Sequence, residues 1–131
     1  MARIKAQLSF SSQNALSYPF SLSASFEGTV DSGHTIRSKV LGVAQGSNAV
    51  TIAKANDKTE VAYVYVRNLS IEKEEIITLY TGSTDIAKIS GGEFAFIPAT
   101  VGIDLKVFAS VVGQMIEYAV FGMDDTQAKL G

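Results

Sequence analysis

The sequence contains no cysteine and no tryptophan, and only one histidine in 131 residues. Without cysteine there is no disulfide, which suits a reducing cytosol or any compartment in which the fold needs no staple. One imidazole is too few for a zinc site, which takes three or four soft or imidazole ligands. That residue, His34, follows Gly33 in a segment expected to turn. No Gly-x-Ser-x-Gly elbow accompanies it, so it reads as a turn residue and not as the base of a catalytic triad. A basic run is missing as well. The eleven Lys and Arg are scattered among thirteen Asp and Glu, for a net charge of −2 and a pI near 5.3. Nucleic-acid binding, which draws its affinity from clustered cations on phosphates, loses its main support.

Long apolar runs are also absent. The longest, Val61 to Val66, is far short of the ~20 residues that span a bilayer, so no membrane segment is expected. The start, Met1-Ala2-Arg3-Ile4-Lys5-Ala6-Gln7, carries positive charge with no apolar stretch behind it, which is not a secretory signal. The chain is therefore expected to be made in the cytoplasm, and the triplet Asn68-Leu69-Ser70 reads as a chance match to a glycosylation site. No phosphate loop or dinucleotide fingerprint occurs; Gly42-Val43-Ala44-Gln45-Gly46 has the glycines but neither the spacing nor the lysine. The adjacent carboxylates Glu74-Glu75 and Asp124-Asp125 would point opposite ways on an extended chain and lie in polar segments, so neither suits acid and base roles. These absences predict no enzyme, no cofactor and no metal.

What is present is a core and a clear period. Hydrophobic residues make up 47% and charged residues 18% of the chain, enough for one globular domain spanning 1–131. Ile4, Ala6, Leu8 and Phe10, then Leu16, Tyr18, Phe20, Leu22, Ala24 and Phe26, occupy even positions, while their odd neighbours are mostly polar. That alternation predicts strands with one wet face. Ser11-Ser12-Gln13-Asn14 is a turn by composition, and Pro19 places its strand at a sheet edge or at its beginning. Gly28 to Asn48 is the least patterned stretch. An irregular excursion is expected there, with a turn at Asp31-Ser32-Gly33 and a strand through Ile36 to Val43.

Further strands are expected at Ala49–Ala53, Glu60–Arg67, Ile76–Tyr80, Asp85–Ile89, Glu93–Ile97, Leu105–Ala109 and Met115–Phe121. A polar turn at Asn56-Asp57-Lys58 joins the first two, and Glu72-Lys73-Glu74-Glu75 reads as a solvated loop or helical turn. Gly82, Gly91, Gly102, Gly113 and Gly122 fall 9, 11, 11 and 9 residues apart and read as turn punctuation between short strands. No helix-period segment is long enough to cross between parallel strands. The expected class is thus all-β, an antiparallel β-sandwich or jelly roll of about nine to ten strands. Residues 123–131 lie past the last strand, as a frayed tail or as an arm that orders against a neighbour.

Some strands are apolar on both faces. In Val61–Val66 the tyrosines Tyr63 and Tyr65 face one way and the valines the other; Phe94 and Phe96 share one face while Ala95 and Ile97 take the opposite one. Phe108 and Phe121 likewise lie opposite Leu105/Val107 and Ile116/Tyr118/Val120. A strand covered on both sides is either central under a loop or lends its outer face to a protein contact. These six aromatics are the candidate protein-interface residues, and they favour assembly.

Four stretches within residues 48–122 carry a resemblance. They are a strand closing on Val66-Arg67-Asn68, another closing on Leu79-Tyr80-Thr81-Gly82, the run Ile89-Ser90-Gly91-Gly92-Glu93-Phe94-Ala95-Phe96-Ile97-Pro98, and the final Ile116-Glu117-Tyr118-Ala119-Val120-Phe121-Gly122. Together they resemble small β-sandwich virion proteins of tailed bacteriophages; residues 1–47 have no counterpart in that group. The resemblance implies a virion structural protein. Its role would be head decoration or stabilisation on the major capsid protein, as a homo-oligomer such as a trimer, or otherwise a tail- or neck-associated subunit. It implies no catalysis and no cofactor. A carbohydrate-binding jelly-roll module is the alternative, because such folds bind sugars on aromatic faces, although the strongest stacking residue, Trp, is missing. A cupin-type enzyme would need two or three clustered histidines.

Overall fold

The computed structural model describes residues 2–15, 17–30, 32–46, 48–53, 60–98 and 104–123. The sequence reading treats 1–131 as one sandwich; by contacts the chain gathers into two compact units, Met1–Val30 and Asp31–Gly131.

The first unit is a two-stranded antiparallel ribbon of β1 (Ala2–Ser12) and β2 (Phe20–Val30). Its register runs without a bulge from Ala2 opposite Val30 to Ser12 opposite Phe20, so even positions always face even positions. The alternation of each strand thereby becomes a property of the whole ribbon. Ile4, Ala6, Leu8 and Phe10 share a face with Leu22, Ala24 and Phe26, and Arg3, Lys5, Gln7, Ser9, Ser21, Ser23, Ser25 and Glu27 take the other. On the polar face Arg3 Nη2 donates to Glu27 Oε2 at 2.7 Å. In the turn the Ser12 hydroxyl accepts the backbone N–H groups of Asn14 and Ala15, at 3.3 and 2.9 Å, which is how serine stabilises a reversal. Pro19 directly precedes β2, where its missing N–H leaves no ladder bond unmade.

The second unit holds eight strands among its described residues: β3 (Ser32–Val40), β4 (Val50–Ala53), β5 (Glu60–Asn68), β6 (Ile76–Thr81), β7 (Thr84–Ser90), β8 (Phe94–Pro98), β9 (Leu105–Ala109) and β10 (Gln114–Met123). They form two sheets, ordered β3-β10-β5-β8 and β4-β9-β6-β7, with every pairing antiparallel. β6 pairs with β7, β5 with β8, β4 with β9 and β3 with β10. Each strand thus meets its mirror about the β6–β7 turn, the pairing of one long hairpin rolled up on itself. This is a jelly roll, and the all-β antiparallel class expected from strand spacing is the observed one. No helix among the described residues is long and apolar enough to cross a membrane.

The two sheets meet in a core of Val40, Val64, Val66, Ile116, Tyr118 and Val120 from one side and Ile52, Ile77, Leu79, Ile89, Leu105, Val107 and Ala109 from the other. Period-two spacing puts alternate residues of each strand inside, as in the β9 pattern of buried Leu105, Val107 and Ala109 with half-buried Lys106 and Phe108 between them.

Turn chemistry fixes where strands end. Thr81 pairs with Thr84 across a two-residue loop that opens with Gly82 at φ 60°, and a positive φ at that position matches the twist of the flanking strands. Between β7 and β8, Glu93 N donates to Ser90 O at 2.9 Å, Gly92 takes φ 86°, and the Glu93 carboxylate accepts Ser90 N at 2.8 Å. Gly91 has a different reason to be glycine. A Cβ there would run into the backbone carbonyl of Glu72 and crowd that of Ser70.

Several local expectations change. Residues 32–40 form β3, which covers the first part of the strand expected through Ile36 to Val43 but starts four residues earlier, where a turn was expected, and stops at Val40; its apolar residues are too sparse to show an alternation, and pairing with β10 makes the strand. The irregular part lies in 41–46 and 48–49, where Gln45 Nε2 donates to Ser83 O and Asp85 Oδ1 and Gly46 N donates to the Tyr80 hydroxyl. His34 stands in β3 opposite Val120 and not in a turn. Gly122 is not a turn either: it sits inside β10 where the register against β5 shifts, a position at which glycine accommodates a bulge. Gly102, the turn at 56–58, Asp124-Asp125 and all of the tail but Met123 lie outside the described residues.

Candidate interaction surfaces

Five of the six aromatic candidates come together on the outer face of the β3-β10-β5-β8 sheet. Cross-strand register sets them in three rows: Arg37, Glu117, Arg67 and Phe94; then Thr35, Ala119, Tyr65 and Phe96; then Gly33, Phe121, Tyr63 and Pro98. Opposite side chains on one face are the unit of contact in a sheet, and these rows bring rings together. Tyr63 and Phe96 lie near parallel at a centroid distance of 6.1 Å, and Tyr65 and Phe94 are tilted by 42° at 6.4 Å. Phe94 keeps 55% of its surface exposed, while Tyr63, Tyr65, Phe96 and Phe121 are half-buried beside it.

Charge borders this aromatic flank. Glu117 accepts from Arg37 Nε at 3.0 Å through one oxygen and from the Tyr65 hydroxyl at 3.3 Å through the other. Burial and then the adjacent Glu117 carboxylate push the Tyr65 hydroxyl above the usual phenol range, against an opposing pull from Arg67. The network therefore holds Tyr65 as a neutral donor that orients the carboxylate, which suits recognition better than proton transfer.

Phe108 is elsewhere. It lies on the outer face of the other sheet, opposite Thr78, and packs against Tyr80 at 5.5 Å with a tilt of 57°. The aromatics named from sequence thus divide between two opposite faces of the sandwich, five to one.

Loops supply a second apolar surface. Ile71 is 92% exposed in the β5–β6 loop, and Val111 and Val112 are exposed in the β9–β10 turn. Backbone bonds hold these loops at one end of the roll: Leu69 N donates to Met115 O, Ser110 N to Ile76 O and Gly113 N to Val40 O. Asn68 supports this end from inside. Its fully buried side chain donates through Nδ2 to the carbonyls of Glu75 and Ile89, both at 2.9 Å, and accepts Ser70 N at 3.0 Å. An amide so committed is closed to glycosylation, and Asn68 is a structural strut. Ile71, Val111 and Val112 belong to no strand period, which is why alternation does not reveal them; apolar residues inside turn segments are the sequence signal that marks them.

The ribbon gives a third surface. Leu8, Phe10, Leu22 and Phe26 are 46, 49, 52 and 38% exposed. Their alternation was legible, but sequence alone assigns an apolar strand face to a core. Among the described residues no group of three or more His, Asp or Glu is placed to hold a metal ion. No protein-family model matches the chain, and no curated protein matches it in sequence.

Proposed function

We propose that this chain is a structural subunit of a tailed-phage particle, a head decoration or stabilising protein that assembles as a symmetric oligomer on the major capsid protein. The observation that carries this reading is the aromatic flank of Tyr63, Tyr65, Phe94, Phe96 and Phe121, a contiguous apolar face bordered by an Arg-Glu-Arg row. Faces of that composition, with exposed rings inside a charged rim, are what protein partners bury. The resemblance over residues 48–122 supplies the particle. A jelly roll is common among coat proteins but also among lectins and cupins, so the fold narrows the class without naming the function. The same surface chemistry would serve a tail- or neck-associated subunit.

Co-sedimentation with purified capsids lacking this protein tests the reading. The wild-type chain should pellet with capsids, and Phe94→Ala should weaken that binding by about tenfold or more, the cost of truncating an aromatic anchor. No pelleting with capsids or with tails refutes it. Glycan binding is the competing reading, favoured by the near-parallel Tyr63 and Phe96 rings, and titration with oligosaccharides showing binding that Tyr63→Ala abolishes would replace the first.

A further inference from the structure

We infer that the open edge of β8 takes up an extended segment of a partner polypeptide as a fifth strand of the β3-β10-β5-β8 sheet, with acidic side chains of that segment facing Arg67 and Lys88. The inference rests on the reading of the aromatic flank as a protein contact, names the form of the partner, and is independent of the particle.

Among the described residues of the roll, β3, β8, β4 and β7 are the strands that end a sheet. Three of them carry devices that discourage strand addition. β3 bears Arg37 and Lys39, β4 is four residues long with a register shift against β9, and β7 bears Asp85 and Lys88 and bulges at Ile86. β8, Phe94-Ala95-Phe96-Ile97-Pro98, has neither charge nor bulge. Its pairing with β5 fixes which backbone groups point away from the sheet. Asn68 N donates to Glu93 O at 3.0 Å, so Glu93 turns its carbonyl towards β5, and alternation gives the same side to Ala95 and Ile97. The N–H groups of Phe94 and Phe96 and the carbonyls of Phe94, Phe96 and Pro98 therefore point outward, with no bond among the described residues. Pro98, which has no N–H to give, falls in this outward set, where proline is tolerated. Donors and acceptors repeating at every second residue are the complement of another extended backbone.

A groove lies beside this edge. It measures about 530 Å³ and is lined by Ala87 and Ile89 of β7, by Phe94 and Ala95 of β8, and by the Gly92-Glu93 turn between them. That volume holds side chains and not merely a water. Ala87 and Ala95 pack against the core yet stay half-buried, and their small side chains leave room for the alternate residues that an added strand turns inward. Charge then selects the guest. Lys88 is exposed on the rim of the groove and Arg67 is exposed directly opposite Phe94; neither forms an ion pair among the described residues. The carboxylate at the groove, Glu93, already accepts Ser90 N at 2.8 Å. Two cations against one engaged carboxylate leave the edge net positive, which acidic side chains in the guest complement.

The probe is the peptide acetyl-Asp-Val-Thr-Val-Asp-Val-Thr-Val-amide, titrated into the full chain and followed by amide NMR. It should bind with a Kd of about 100 µM or tighter, with the largest shifts in β8 and with exchange of the Phe94 and Phe96 amides slowed about tenfold or more. N-methylation of the peptide separates backbone pairing from apolar adhesion, because only every second N–H of a guest strand faces the edge. Methyl groups on one alternate set should abolish binding, and on the other set should leave it. Phe96→Pro removes an outward N–H without touching the ladder to β5 and should weaken binding about tenfold or more, whereas Phe96→Val keeps that N–H and should stay within about threefold. Should Phe96→Pro fail to fold, the methylated peptides still read the wild-type edge. Lysine in place of both Asp residues of the peptide should weaken binding about fivefold. No binding, equal effects of the two methylated sets, equal losses in the two Phe96 variants, or a lysine peptide that binds as well would overturn the inference. So would Phe94 and Phe96 amides already protected without peptide, the sign of an edge covered by this chain or by a second copy. Capsid pelleting without peptide binding removes the added strand and leaves the proposed function standing; peptide binding without capsid pelleting does the reverse.

Discussion

Removing the Asn68 amide tests whether the loop end of the roll is held from inside. Asn68→Ala deletes three hydrogen bonds and leaves the carbonyls of Glu75 and Ile89 and the N–H of Ser70 without their partner. The three are not equal. The bond to Ile89 is fully buried, so its orphaned carbonyl costs about 1–3 kcal/mol; the other two are partly buried, where water replaces some of the loss, at about 0.5–1 kcal/mol each. The expected destabilisation is about 2–5 kcal/mol, which for a unit of this size lowers Tm by roughly 10 °C or more. Urea unfolding followed by circular dichroism measures it. Asn68→Asp keeps the shape but turns an acceptor towards two carbonyls. Burial beside them raises the folded-state pKa of that carboxyl, so its neutral form is favoured and the damage should lessen as pH falls. A change below about 0.5 kcal/mol for Asn68→Ala, the range of a plain surface substitution, would refute the strut.

Gly91→Ala should cost about 1–3 kcal/mol, because the added methyl group meets backbone at Glu72 and Ser70 that no side-chain rotation can clear; a neutral result in thermal unfolding would contradict that packing. Leu79→Ala in the core should cost about 2–5 kcal/mol, whereas Phe94→Ala, half in solvent, should cost far less while weakening partner binding; equal losses in denaturant titrations would show that Phe94 is a core residue. Tyr65 and Tyr118 have folded-state pKa values raised above the usual phenol value of 10.0, by burial for both and also by Glu117 for Tyr65. A raised pKa contributes stability that is complete below pH ~10 and is lost as pH climbs through the folded value. Ultraviolet titration of tyrosinate should therefore show two tyrosines ionising late, and Glu117→Gln should bring Tyr65 forward; an unchanged titration curve would sink the coupling.

Most strands were readable because a half-buried strand writes its orientation into alternate residues. β5 shows it plainly: Val64 and Val66 point inward and Tyr63 and Tyr65 outward, as their alternation implies. Turn residues were legible where they obey local chemistry, as at Gly82 and Ser90-Gly91-Gly92-Glu93. Gly122 misled because a bulge and a turn both favour glycine, and only the register of β10 against β5 tells them apart. The first half of β3, 32–35, was missed for the opposite reason, while its second half lies within the strand expected through Ile36 to Val43. Residues 32–35 carry little pattern, and the strand includes them because β10 offers an edge to pair with.

Among the candidate surfaces, sequence spacing could place Phe94 with Phe96 and Tyr63 with Tyr65, since each pair shares a strand. It could not place the two pairs side by side, nor separate Phe108 from Phe121, because those relations depend on which strands become neighbours. The sequence by itself determined the all-β class, the faces of most strands and the lack of clustered imidazole and thiol chemistry. These are local or compositional properties, set by period and residue type. Tertiary structure alone decided the rolled pairing about the β6–β7 turn, the aromatic flank, and the division of the chain into a sandwich and a ribbon. Pairing across long loops is a choice among many strand edges of similar hydrogen-bonding capacity, and it is settled by how whole faces bury against one another.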